Sequence, residues 1–424
     1  MAAARPIADT PEATEIAALV ARSRKAQAQI EHYTQAQVDR LIRGMVWAVA
    51  KPGTAEMLAQ HTVDETQLGN YEGKFLKIAR KTRAALLDII DDKSVGVLEE
   101  DHERNIVKIA KPVGVIGALS PSTNPEATPV IKAICAVKGR NSIIIAPHPR
   151  AKISNKLICN LMRDALEKMG APADLVIPIE TPSVEKTNEV MRQCDRVLAT
   201  GGGPMVLAAY SSGTPALGVG VGNAVITVDE TADLDDAADK ILISKTLDFA
   251  ASCSSDNAVI LVDAIYDRML AKLKDRGGLV VEGDQKAKLQ NALWEDGEHI
   301  NAKVVAQSPE FIANYAGFDI PEGTKFFVVP ETGAGKDYPF SGEKMSVTMA
   351  LYRARDIDDA IELTNRIQAY QGMGHSCGIY STSDANIMKL AEGTKTSRVM
   401  VNQPQSASNS GNLWNGMRQT FSLG

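Results

Sequence analysis

Between residues 113 and 228 short apolar runs alternate with amphipathic ones, and this alternation constrains the fold more than any other feature. VGVIGAL, NSIIIAP, LVIPIE, RVLAT and AVITVD have the length and apolar character of strands. EATPVIKAICAVK, KISNKLICNLMRDALEKMG, SVEKTNEVM and the stretch from Pro204 to Tyr210 have helical spacing between them. Strands that are apolar throughout and are separated by helices belong to a parallel sheet buried on both faces. The expectation is an α/β, doubly wound architecture of the nucleotide-binding kind, with AVITVD as its last strand.

The rest of the chain extends this plan. Residues 12–92 carry helical periodicity in EIAALVARSRKAQAQI and FLKIARKTRAALLDII. SVGVLEE (94–100) and NIVKIAKP (105–112), joined by the charged DHER, predict a projecting hairpin. A second αβ series runs from about 229 to 400. The expected domains are therefore 1–228, with N-terminal helices, a dinucleotide-binding domain and a hairpin at about 94–112; 229–402; and a polar C-terminal segment, 403–424.

Composition excludes several classes. The chain has 424 residues, 44% hydrophobic and 23% charged, enough for a large core. A net charge of −6 argues against a nucleic-acid partner. No run reaches the ~18 apolar residues of a membrane span, and the N-terminus lacks a signal-peptide pattern. Five scattered cysteines form no disulfide framework and suit a reducing, cytoplasmic compartment. His and Cys spacing predicts no metal site.

Cys253 is the candidate nucleophile. It lies in SKTLDFAASCSSDNAVILVD, where Ala251, Ser252, Ser254 and Ser255 leave room for a carbonyl carbon to reach a thiol. Cys135, Cys159, Cys194 and Cys377 lie in or beside apolar segments and are expected to be buried structural thiols. Asn124, in the loop SPSTNP after a predicted strand, is either an oxyanion donor or a turn residue. Gly201–Gly203 open a βα turn where backbone N–H groups could approach a phosphate, or where a tight turn simply needs glycine. His375, in GMGHSC, is a candidate proton carrier or a polar wall.

Taken together, KPVGVIGALSPSTNP, IIIAPHPRAK, ATGGGPMVLAAYSSGTPALGVGVGN, SKTLDFAASCSSDNAVILVD, EKMSVTMALYRA and GMGHSCGIYST resemble the CoA-acylating aldehyde dehydrogenases. The resemblance covers about residues 15–424. It implies the aldehyde dehydrogenase fold: a cofactor domain, a catalytic domain and an oligomerisation hairpin. It matches Cys253 to the nucleophile and Asn124 to the side-chain oxyanion donor. It matches Ser120, Pro121, Ser122, Thr123, Gly202 and Gly220 to cofactor-contacting positions, and Glu343 to the acidic residue on the nicotinamide ribose. Relatives continue past SLG into a Cys-Gly-Ser-Trp-Gly-Gly-Asn motif and a tail that this chain does not carry.

The resemblance also implies the chemistry. NAD or NADP is the redox cofactor, coenzyme A the co-substrate, and a small aldehyde, sulfoacetaldehyde or acetaldehyde, the substrate. A homodimer or homotetramer is implied if the tail is dispensable. Hydrolysing relatives carry a glutamate base where this chain has Gly218. Without it water is poorly activated, whereas a thiol needs no such help. Arg418 is a candidate cation for a sulfonate, or a solvated surface arginine. A hydrolysing enzyme with another base, and an inactive or truncated assembly paralogue, are the alternatives.

Overall fold

The computed structural model describes residues 8–297 and 299–421, which form two compact units. The first comprises residues 8–67, 74–220 and 418–421; the second comprises 68–73, 221–297 and 299–417.

In the first unit, strands β3 (Val115–Ser120), β4 (Ser142–Pro147), β5 (Val176–Pro178), β6 (Arg196–Thr200) and β7 (Ala216–Val219) form one sheet in the order β5-β4-β3-β6-β7. Every pairing is parallel. β3 and β4 are buried at all positions, as strands covered by helices on both faces must be. The N-terminal helix Pro11–Ile30 starts cleanly because Thr10 accepts from the Ala13 N–H and Pro11 fits the first turn. It buries Ile16 and Val20 against Val115, Ile144 and Ala146. Strand order reverses at β3: β4 and β5 lie on one side, β6 and β7 on the other. Such a switch point opens a crevice at the carboxyl ends of the strands. The hairpin strands β1 (Gly96–Asp101) and β2 (Ile106–Ala110) pair antiparallel, with a bulge between Val97 and Glu99.

The second unit holds a seven-stranded parallel sheet, β10-β11-β12-β9-β8-β13-β14. Its strands are β8 (Ala224–Val228), β9 (Asp256–Val262), β10 (Gly278–Val280), β11 (Phe326–Pro330), β12 (Thr348–Ala354), β13 (Cys377–Tyr380) and β14 (Val399–Val401). Val259, Ile260, Phe327, Leu351 and Tyr352 lie in its core.

One expectation is corrected here. AVITVD forms β8, but β8 pairs with β9 and β13 and not with β7. Alternation shows that a strand is parallel and buried; it does not show which sheet receives it.

Candidate active site

Cys253 lies half-buried in the short loop that enters β9. The loop is fixed at both ends. Before it, Asp248, Phe249 and Ala250 take φ of 52°, 48° and 60°, three successive non-glycine residues in the left-handed region. Each such residue costs about 1–2 kcal/mol, so the surroundings must hold them. Asp248 does so by accepting from the Asn70 N–H at 2.8 Å. Glycine is required opposite it: a Cβ on Gly69 would stand 1.8 Å from Asp248 Oδ1. After the loop, Asp256 accepts from Ser244 Oγ at 2.7 Å, and its carbonyl accepts from the buried Lys245 ammonium at 2.8 Å. Burial holds Lys245 well below, and Asp256 well above, their ordinary values. Gly222, the last glycine of GVGVGN, lets the loop close, since a Cβ there would lie 2.2 Å from the Cys253 carbonyl oxygen.

His375 stands beside Cys253, with Nε2 3.3 Å from its Sγ. It precedes β13, and its backbone carbonyl is held by Ser397 Oγ at 2.7 Å. Burial, then the charge of Arg398, push the imidazole down to about 4, so it is neutral near pH 7. Glu343 joins the same unit through Gly222, whose N–H donates to Glu343 Oε1 at 3.0 Å. Burial pushes this carboxyl up to about 8, against the Gly222 hydrogen bond and the nearby lysines. Cys253, His375 and Glu343, far apart in sequence, therefore share one face of the second unit.

The other expected residues lie in the first unit. Ser120 ends β3, and Pro121 to Asn124 form the loop that follows. Asn124 is held by groups that sequence reasoning missed. Lys77 Nζ donates to Asn124 Oδ1 at 2.6 Å, and Lys74 Nζ donates to the Thr123 carbonyl at 2.7 Å. Both ammoniums lie 3.8 Å from the fully buried Glu126 carboxylate. A buried charge survives when paired, so this triad is a rigid backing for the loop. Lys77 opens a π-helical turn, Lys77–Lys81, inserted in an otherwise helical stretch. Such turns redirect side chains that regular helix would point elsewhere. Nothing in the helical periodicity marks these lysines; their apolar neighbours make the segment look like an ordinary amphipathic helix.

A cavity of about 140 Å³ opens at the switch point, lined by Ser120, Pro121, His148, Thr187, Gly202 and Met205 among others. It fits a dinucleotide on two observations. Ser120 Oγ is buried and has no partner among the described residues. The helix Gly203–Ser211 is capped by Gly202 with no side-chain bond, and a Cβ on Gly202 would meet nothing closer than 4.0 Å, so glycine is not demanded by packing. Gly220 is similar, with Val206 at 4.0 Å. Gly218 is the opposite case. A Cβ there would lie 2.6 Å from Val206 Cγ1 and 3.1 Å from the Tyr210 ring, whose hydroxyl bonds both the N–H and the carbonyl of Gly218.

Two expectations fare differently. The Arg418 side chain is 66% exposed and pairs with Asp92, donating from Nη2 to Oδ1 at 3.0 Å. Those surroundings support the solvated-surface alternative. Cys159, Cys194 and Cys377 are buried as expected, but Cys135 is exposed, because its helix turns that position outward. Among the described residues no His, Cys, Asp and Glu cluster could hold a metal, and no helix is long and apolar enough to cross a membrane.

Comparisons with known proteins identify the family. The aldehyde dehydrogenase family model matches residues 2–296. A sulfoacetaldehyde dehydrogenase from Acholeplasma sp is 44% identical over 96% of this chain and 84% of its own length. The solved acetylating aldehyde dehydrogenase of Geobacillus thermoglucosidasius superposes with a TM-score of 0.93 at 35% identity, over 97% of this chain and 90% of that one. The Rhodopseudomonas palustris propionaldehyde dehydrogenase with bound propionyl-CoA gives 0.86 at 28% identity, over 96% and 89%. On these likenesses, with the Cys253 loop and the switch-point cleft in place, the chain belongs to the aldehyde dehydrogenase family, in its acylating group.

Proposed function

We propose that this chain oxidises a small aldehyde and delivers the acyl group to coenzyme A through a thioester on Cys253. The Cys253 sulfur attacks the aldehyde carbon and forms a thiohemiacetal alkoxide. Asn124 Nδ2 and the Cys253 N–H donate to that oxygen. A bound NAD or NADP, seated by the Ser120–Thr123 loop, Gly202, Gly220 and Glu343, supplies the hydride acceptor. Loss of hydride leaves Cys253 acylated. Coenzyme A, as its thiolate, then attacks the thioester, a carbon–sulfur bond forms as another breaks, and Cys253 leaves as thiolate beside His375. The acyl transfer is reversible, because one thioester replaces another.

The observation that carries this reading is the packing at Gly218. The position that the resemblance matches to the hydrolytic base is a glycine crowded by Val206 and Tyr210, so a side chain there would have to displace them. A thioester without an activated water waits for a thiol.

Sulfoacetaldehyde is the first substrate to assay, on the strength of the Acholeplasma relative, with acetaldehyde as comparison. Assembly through the hairpin is supported by its exposed Val97, Leu98, Ile106, Val107 and Ile109. A reducing cytoplasm suits a nucleophilic thiol and four further free cysteines.

The test is reduced-cofactor formation from each aldehyde, with and without coenzyme A. Strong stimulation by coenzyme A with accumulation of acyl-CoA is the expected result. Free acid released at the same rate without coenzyme A would overturn it.

A further inference from the structure

His375 meets Cys253 through Nε2, and what its other nitrogen does decides where the ring proton lies. Nδ1 is 2.8 Å from Ser376 Oγ, and that oxygen is 2.9 Å from Asn409 Nδ2. Ser376 and Asn409 are fully buried, and His375 is 4% exposed. An amide nitrogen donates and cannot accept. With Nδ2 on the Ser376 side and Asn409 Oδ1 buried without a hydrogen bond among the described residues, Ser376 Oγ accepts from Asn409, and its own proton must find a different acceptor. A buried donor left unmatched is costly. Among the described residues the acceptor within reach is His375 Nδ1. That nitrogen must then present a lone pair, which leaves the ring proton on Nε2, facing the sulfur.

We propose that Asn409 and Ser376 are positioning residues that hold His375 as the Nε2–H tautomer, so that it donates a hydrogen bond to Cys253 whenever that sulfur is anionic. The inference rests on Cys253 being the nucleophile. It gives His375 a definite function, since the same N–H steadies the thiolate before attack and again when coenzyme A displaces it. A ring in this state cannot take the thiol's proton at Nε2, so His375 is not the base that ionises Cys253. The groups around the ring agree. Ser376 and Asn409 are neutral, and Arg398, at the foot of β14, opposes an imidazolium. Arg398 is itself tied to this network by donating to the Asn409 carbonyl.

The relay was hidden in the sequence because Asn409 lies in a polar stretch, QSASNSGN, whose composition suggests only a loop. Folding brings it under β13, where it controls a histidine it is far from in sequence.

The experiment uses protein labelled with ¹⁵N-histidine, with long-range ¹H–¹⁵N spectra at pH 7.5. The His375 signals are those lost in His375→Gln. The expected wild-type pattern has Nε2 protonated and Nδ1 unprotonated. Asn409→Asp should reverse it, since a carboxylate accepts from Ser376 and turns that oxygen into an acceptor for Nδ1–H. Ser376→Ala should abolish the preference, and Ser376→Thr should restore it. An Nδ1–H or imidazolium wild type, or a pattern unchanged by Ser376→Ala, would overturn the proposal. Alkylation of Cys253 by iodoacetamide at pH 7 gives a second readout. It should slow about tenfold in Ser376→Ala and recover in Ser376→Thr, and an unchanged rate counts against the donor role. Because the spectra need no turnover, failure of the nucleophile assignment would leave the tautomer result standing and so be told apart.

Discussion

Lys77 Nζ donates to Asn124 Oδ1 at 2.6 Å, and this one bond leaves Nδ2 as the end of the amide that the proposed oxyanion role requires. With Oδ1 occupied by a cation, Nδ2 is the end left to donate; it lies 3.3 Å from Thr123 Oγ1. An oxyanion donor must be aimed before charge develops, because reorientation during the reaction forfeits the benefit.

Asn124→Ala should therefore lower kcat by ~10²–10³, the usual loss for one oxyanion donor, with a smaller change in KM. Lys77→Met should lower kcat less, about tenfold, because the amide remains but is no longer oriented. The double variant should fall little below Asn124→Ala alone, as expected for residues acting through one group. Steady-state kinetics on the four proteins decide the matter, and additive losses would separate Lys77 from the oxyanion.

Cys253→Ala should abolish turnover while circular dichroism stays unchanged, since no neighbouring serine matches a thiolate at neutral pH. Replacing Cys135, Cys159, Cys194 or Cys377 singly should leave the rate within a few-fold. Cys135 is exposed, so iodoacetamide should modify it as well as Cys253, but without loss of activity. Mass spectrometry should find that only modification of Cys253 tracks loss of activity.

What the sequence made legible follows from what each signal encodes. The 113–228 alternation gives buried parallel strands and crossover helices, but not that Ala216–Val219 closes the first sheet while AVITVD enters the second. Small residues around Cys253 mark an accessible thiol. The triad Lys74, Lys77 and Glu126 was invisible because a buried charge has no local signature; its partners come from another segment. The glycines show the same limit. Gly202, Gly218 and Gly222 look alike in a string, yet one faces an open cleft, one is packed by Tyr210, and one admits the Cys253 carbonyl. Only tertiary contact distinguishes them.

Gly218→Glu tests the packing behind the choice of acceptor. Its Cβ would overlap Val206 Cγ1 at 2.6 Å, and the Tyr210 hydroxyl would lose its seat on the Gly218 backbone. Overpacking of this kind costs about 1–3 kcal/mol. The variant should melt at lower temperature and release no more free acid than wild type. Adding Val206→Ala should recover stability if overlap is the cause. Substantial hydrolysis by Gly218→Glu alone would show that the site has room for a base after all.

The neutral state of His375 makes a prediction about pH. In the unfolded chain its imidazole takes up a proton near 6.5; in the folded chain, where burial and Arg398 oppose the charge, it does so only near 4. Between these values the unfolded state holds one proton more than the folded state, so folding stability rises with pH and is lost as pH falls from 6.5 toward 4. The full difference corresponds to ~3 kcal/mol. Glu343 acts in the opposite sense over an overlapping range, since its carboxyl keeps a proton to about 8 in the folded state. A comparison of slopes is therefore needed. Denaturant unfolding at pH 7.5, 6.5, 5.5 and 5.0 should show wild type losing stability more steeply than His375→Gln, which carries no titrating ring. The two curves should converge as the pH falls. Parallel curves would mean that His375 is protonated in the folded protein as readily as in the unfolded chain, and that its contact with Cys253 is not made by a neutral ring.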